Sequence, residues 1–79
     1  MPTVLRIGQF RFHFYSDEGN EPAHIHIATS DGECKYWLNN PVRLARNRNV
    51  KPHDIREIEN LVFEHLDFFK AKFYEFHNR

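Results

Sequence analysis

The sequence predicts an α+β domain: an antiparallel β-meander of three to four strands, packed on one face by a single long C-terminal helix. Two period-2 alternations, Phe10-Arg11-Phe12-His13-Phe14-Tyr15 and His24-Ile25-His26-Ile27, mark strands whose two faces differ in chemistry. Asp31-Gly32, set between apolar runs, marks a hairpin turn. Beyond Pro52 the period changes, and apolar residues recur every three or four positions, as a helix with one buried face requires.

Taken in order, Thr3 to Ile7 is expected as a first strand, with Gly8 allowing a tight turn into a second, Gln9 to Tyr15. The stretch Ser16-Asp17-Glu18-Gly19-Asn20-Glu21-Pro22 is dense in turn formers and reads as a mobile loop. His24 to Thr29 forms a third strand and Glu33 to Leu38 a fourth, which Asn39-Asn40-Pro41 breaks. Val42 to Ala45 fits either a short extension or a turn of helix. Pro52 suits a first helical turn, and Asp54 and Glu57 complement the positive N-terminal end. Ile55, Ile58, Val62, Leu66, Phe69, Phe73 and Phe76 then form a stripe that the Phe10/Phe12/Phe14 and Ile25/Ile27 faces of the sheet can cover. Phe63 and Tyr74 project off that stripe as an aromatic flank, His65 lies toward the core, and His53 and His77 read as surface residues at the helix ends. The second sheet face, with Arg11, His13, Tyr15, His24, His26, Lys35 and Trp37, is left exposed or waiting for a partner.

Seventy-nine residues leave room for one domain, 1–79, and a chain this short buries a smaller share of its surface than a longer one. Eight phenylalanines offset part of that deficit. The single cysteine, Cys34, excludes a disulfide framework and a Cys-rich zinc site and reads as a small buried hydrophobe. No basic-then-apolar signal segment and no run able to span a bilayer is present, so a cytoplasmic protein with no membrane association is expected.

Net charge is zero but unevenly distributed. Between Lys35 and Lys51 the chain carries Lys35, Arg43, Arg46, Arg48 and Lys51 and no acid, whereas the helical segment is acidic on balance. These five residues are candidate phosphate contacts on a nucleic acid, against the alternative that the arginines pair with the helix. The candidate catalytic residues are His24 and His26, which share one strand face, then His13 and Arg11 across from them. Histidine suits acid-base chemistry near neutral pH: on RNA it takes a proton from the 2′-hydroxyl or protonates the leaving oxygen, while Arg11 or Lys35 stabilises the charged phosphate. No metal or other cofactor is needed for that scheme. The same imidazoles also suit a zinc ion, with Glu21 or Glu33 as a further ligand.

The segments Met1-Pro2-Thr3-Val4-Leu5-Arg6-Ile7, Phe10-Arg11-Phe12, Phe14-Tyr15-Ser16-Asp17-Glu18-Gly19, Glu21-Pro22-Ala23-His24-Ile25-His26 and Lys35-Tyr36-Trp37-Leu38 resemble the small prokaryotic family of unknown function numbered 4160. The Glu-Pro-x-His-Ile-His block is the most specific part, and Ala23 stands where that family often has a second proline. The resemblance implies a neighbouring small protein as partner, in a gene arrangement similar to toxin-antitoxin pairs. A strand histidine, a hairpin, a basic turn and a following helix are also similar to small mRNA-cleaving toxins with a double-stranded-RNA-binding-like fold. That similarity implies catalysis by His24 or His26, although this chain lacks their leading helix and carries two extra N-terminal strands. The expectation is one half of a two-protein module with an RNA-directed role, cleaving RNA without metal. A non-enzymatic module docking a partner through its open sheet face is the alternative, and a histidine metal-binding module the third. The oligomeric state is not set by the sequence.

Overall fold

The computed structural model of the protein describes residues 3–39 and 41–77. The chain forms β1 (Thr3–Ile7), β2 (Phe10–His13), β3 (His24–Ala28), β4 (Glu33–Trp37), β5 (Arg43–Arg48), α1 (Pro52–Glu64) and α2 (Leu66–Phe76). All five strands make one antiparallel sheet in sequence order, β1-β2-β3-β4-β5. The α+β class and the meander are as the sequence predicts, with one more strand and one more helix than expected.

Hairpin chemistry sets the register of the meander. Gly8 takes a left-handed φ of 58°, so Ile7 pairs with Phe10 across a two-residue turn. Between β3 and β4, the Thr29 hydroxyl accepts the backbone N–H groups of Asp31 and Gly32, both at 3.1 Å. Gly32 has a second reason to be glycine, because a Cβ there would run into the backbone carbonyl of Arg48 on β5.

The basic stretch is the extra strand. Its sequence, Arg43-Leu44-Ala45-Arg46-Asn47-Arg48, has little intrinsic strand preference, and pairing with β4 decides its conformation. The register shifts between Lys35↔Arg46 and Tyr36↔Leu44, a bulge at the sheet edge. Asn47 then closes the strand: its side chain accepts the Val50 N–H at 2.9 Å and donates to the Val50 carbonyl at 3.0 Å, while Asn49 turns the chain at φ 70°. Val50 is thereby pressed into the core just before Pro52 begins α1.

The expected single helix is two, joined at His65, whose φ of −110° and ψ of 24° depart from helical values. The hydrogen-bond ladder continues across the joint, with His65 N–H on the Leu61 carbonyl and Phe69 N–H on the His65 carbonyl, each at 3.0 Å. The apolar stripe is therefore kept while its direction changes. Ile58, Val62, Phe69 and Phe73 are buried against Phe12, Phe14, Ile25, Ile27, Cys34, Tyr36 and Leu38. Phe12 stacks on Phe69 with centroids 5.0 Å apart, Phe14 meets Phe73 edge-on at 5.6 Å, and the Tyr36 hydroxyl donates to Glu59 at 3.1 Å. Phe76, at the end of the stripe, is partly exposed and stacks on Phe14 at 5.9 Å. Phe63 and Tyr74 are exposed, as their angular positions require.

His77 differs from its expected surface position. It is buried among Phe14, Phe73 and Phe76, and the loop after β2 approaches it so closely that a Cβ on Gly19 would lie 2.9 Å from its Nδ1. Truncating the centre of the core, Phe12→Ala, is expected to cost about 3–5 kcal/mol of unfolding free energy, while Phe63→Ala on the exposed flank changes it by less than about 0.5 kcal/mol. Equilibrium urea denaturation followed by circular dichroism checks both.

Candidate functional site

β3 is buried on both faces. Ile25 and Ile27 face the helices, and His24 and His26 face the other way, yet both imidazoles are at most 1 % exposed. The cover is the chain itself: the segment between β2 and β3 folds back over that face. The surface expected to stand open is thus closed over its histidines, and the loop expected to be mobile is tied to the strand beneath it.

One carboxylate makes the tie. Glu18 Oε1 lies 2.8 Å from His24 Nε2 and 2.7 Å from His26 Nε2. His24 Nδ1–H donates to the Pro22 carbonyl at 2.8 Å, which fixes the entry to β3. Burial pushes the Glu18 carboxyl pKa upward, but the hydrogen bonds from His26 and His24 outweigh it and hold the group below its usual value. Burial is likewise the largest influence on His26 and lowers its pKa despite the attraction of Glu18. His24 is further enclosed by Trp37 at 5.7 Å and Phe73 at 5.2 Å between ring centroids.

His13 lies beside this cluster, not in it. Its ring stacks on His26 at 5.6 Å and meets Tyr15 edge-on at 5.1 Å. Among the described residues neither ring nitrogen makes a hydrogen bond of ordinary length; Glu33 Oε1 is 3.7 Å from Nε2, and the backbone of Phe14 runs alongside. Desolvation by burial is the main reason its pKa falls to about 4, so the ring is neutral at physiological pH. Arg11 is half-buried and donates to the Thr3 hydroxyl at 3.3 Å.

Glu33 connects the cluster to a cavity. It accepts the Tyr15 hydroxyl at 2.8 Å and has its Oε2 3.4 Å from His26 Nδ1. Burial, and then that bond to Glu33, raise the Tyr15 pKa. The cavity, of about 230 Å³, is lined by Tyr15, His26, Glu33, Cys34, Lys35, Arg46 and Arg48. It therefore joins the imidazole cluster to the basic strand.

The five basic residues divide by environment. Lys35 is almost buried, with its ammonium 2.7 Å from Glu21 Oε1 and 4.5 Å from the centre of the Trp37 ring. Lys51 precedes α1, outside the cavity lining, with its ammonium 3.8 Å from Asp31. Arg43, Arg46 and Arg48 are exposed, and among the described residues none of them pairs with a carboxylate, so the alternative of arginines neutralised by the helix is not what forms.

Among the described residues two groups of donor atoms are spaced for a metal ion: Glu18 with His24 and His26, and His53 with Asp54 and Glu57 in the N-terminal part of α1. The first contains neither Glu21 nor Glu33, the acids nominated from sequence, but Glu18, and no periodicity marks Glu18. Only the density of turn formers around it signals that the segment doubles back.

Cys34 faces the core and borders the cavity while only 2 % exposed, and burial followed by the nearby Glu33 carboxylate pushes its thiol up to about 12. At pH 8 the native protein should hold roughly 1000-fold less thiolate than the unfolded chain. Labelling with a thiol reagent should accordingly be slow in native buffer and rapid in denaturant; fast native labelling would show that β4 opens locally.

The family model described as Domain of unknown function (DUF4160) matches residues 10–74, and the chain belongs to that family. Neither a curated protein nor a solved structure matches it.

Proposed function

We propose that this DUF4160 member is the RNA-directed component of a two-protein module, and that it holds the RNA backbone along β5 and in the cavity beside it. The observation that carries this reading is the placement of Arg46 and Arg48: two exposed guanidinium groups without carboxylate partners among the described residues, both on the wall of one polar cavity. Guanidinium groups recognise phosphate through paired N–H donors, and Arg43 on the same strand extends the basic edge beyond the cavity. A close, half-buried ion pair with Glu21 withdraws Lys35 from the phosphate-contacting set, and Lys51 lies outside the cavity.

Within this reading the histidines act as support. The Nε2 atoms of His24 and His26 are turned to Glu18 beneath the loop, away from any bound strand. The groups that border a bound phosphodiester are Tyr15, Glu33 and His26, linked to one another by the contacts above. Glu33 is the acceptor placed to take a proton there, with His26 behind it, and RNA cleavage, where it occurs, runs through that pair and not through His13 or Arg11.

A specific observation also favours partner docking at the same edge. Among the described residues β5 pairs with β4 on one side only, which leaves its other backbone edge to receive a strand, and Leu44 on β5 is exposed. The non-enzymatic alternative thus moves from the covered sheet face to the strand edge.

Charge reversal separates the two. Arg46→Glu/Arg48→Glu should abolish binding of single-stranded or structured RNA measured by fluorescence anisotropy. Single substitutions to Ala should lower the slope of log affinity against log salt by about 0.7 each on single strands. RNA affinity unchanged by the double reversal would sink the proposal, and retained binding of the neighbouring small protein alongside lost RNA binding would assign the edge to RNA alone. Gel assay of RNA integrity in EDTA, with Glu33→Gln beside the parent, reports on cleavage.

A further inference from the structure

Glu18, His24 and His26 converge on one point beneath the loop. The Nε2 atoms of the two histidines lie 2.8 and 2.7 Å from the same Glu18 oxygen, and one donor atom from each residue falls within 4.8 Å of the others. The remaining ring nitrogens are already engaged: His24 Nδ1–H donates to the Pro22 carbonyl at 2.8 Å, and His26 Nδ1 faces Glu33 Oε2 at 3.4 Å. A neutral imidazole with its proton on Nδ1 turns the lone pair of Nε2 outward. With the Pro22 carbonyl holding the proton of a neutral His24 on Nδ1, the Nε2 lone pair of that ring faces the Glu18 oxygen at 2.8 Å, an approach that a cation between the two relieves. A single divalent ion satisfies all three donors at once.

We propose that Glu18, His24 and His26 bind one divalent transition-metal ion of the zinc type, which fastens the loop between β2 and β3 onto the sheet. Imidazole nitrogen and carboxylate oxygen are the ligands such ions take in protein sites. His24 and His26 are two residues apart on a strand, so they present their rings to one side without further adjustment. The Pro22 carbonyl stands where an outer partner of a metal-bound histidine stands, fixing the His24 tautomer and aiming its Nε2 inward, while the Glu33 carboxylate lies behind His26 at 3.4 Å. Glu18 is the most exposed of the three, so the ion enters from the loop side and its remaining coordination positions fall to the second Glu18 oxygen or to water. His13 remains a stacked neighbour outside the donor group. This inference does not depend on the RNA reading, since none of its observations involves β5.

The group His53, Asp54 and Glu57 supplies the internal comparison, because His53 and Glu57 are exposed side chains on the surface of α1. Untagged wild-type protein, Glu18→Gln and His53→Ala are titrated with zinc by calorimetry and with cobalt(II) by visible absorption. Wild type and His53→Ala should each bind one ion per chain, with a melting temperature that climbs with ion concentration. Glu18→Gln keeps a polar side chain of the same size, with both a donor and an acceptor, against the two rings and should fold, as circular dichroism without metal will show, yet bind at least about tenfold more weakly; losing even an outer partner typically costs 10–100-fold. A readout that needs no variant accompanies it: cobalt(II) should shift the ring resonances of His24 and His26 in the NMR spectrum and leave those of His53 in place. No stoichiometric binding by wild type, retention of affinity in a folded Glu18→Gln, or cobalt shifts confined to His53 would each overturn the proposal.

Discussion

The burial of β3 on both faces is the constraint on which the rest of the molecule depends. A strand covered on two sides must find partners for whatever it carries, and this one alternates isoleucine with histidine. The isoleucines fix the side that meets α1 and α2, because a slip of one residue would exchange every apolar contact for an imidazole. With that side fixed, two histidines are committed to the opposite one, where polar rings without partners would be costly. Glu18 meets that demand with a single oxygen shared between both Nε2 atoms. The loop is therefore a third layer of the fold, and the sheet has helices on one side and its own connecting segment over part of the other.

Much of this was legible from residue order, and what escaped it did so for a physical reason. The alternations around Phe12 and Ile25, the Asp31-Gly32 turn and the stripe from Ile58 to Phe73 each report a local period, and local period is set by which side is buried. β5 has no such report, because an edge strand that is exposed along most of its length needs no alternation; its conformation comes from β4 and from the Asn47 side chain closing on Val50. The bend at His65 keeps both the ladder and the stripe, so it leaves the apolar spacing intact and cannot be seen in it.

The candidate site shows the same division. His13, His24 and His26 share a face because a strand requires it, and the structure brings all three rings together. Which acids join them was not determined by spacing. Glu18 meets rings six and eight residues further along the chain through a turn whose geometry is set by Gly19 against His77 and by the backbone bond from Glu21 N–H to the Glu18 carbonyl. Glu21, nominated from the sequence as a ligand, is drawn off by Lys35, and Glu33 is drawn to Tyr15 and the rear of His26. Assignments among three neighbouring carboxylates turned on distances of about an ångström, which no pattern of residue types encodes.

Glu33 is the residue through which the two halves of the face affect each other. It sits on the cavity wall with Arg46 and Arg48 and also stands behind His26, whose other nitrogen is on Glu18. An anion entering the cavity meets two guanidinium groups and one carboxylate. It therefore favours any state in which the negative charge of Glu33 is drawn toward His26. Tightening of that contact holds the His26 ring in the orientation that Glu18 needs, and so favours the closed loop. Under the two proposals above, a cation held among Glu18, His24 and His26 would favour anion binding in the cavity by whatever factor the anion favours the cation, because coupling between sites is reciprocal. The basic strand and the buried imidazoles, separate features in the chain, meet in the folded molecule at Glu33, which lies opposite Arg48 in the β4–β5 register and faces His26, whose other nitrogen is on Glu18.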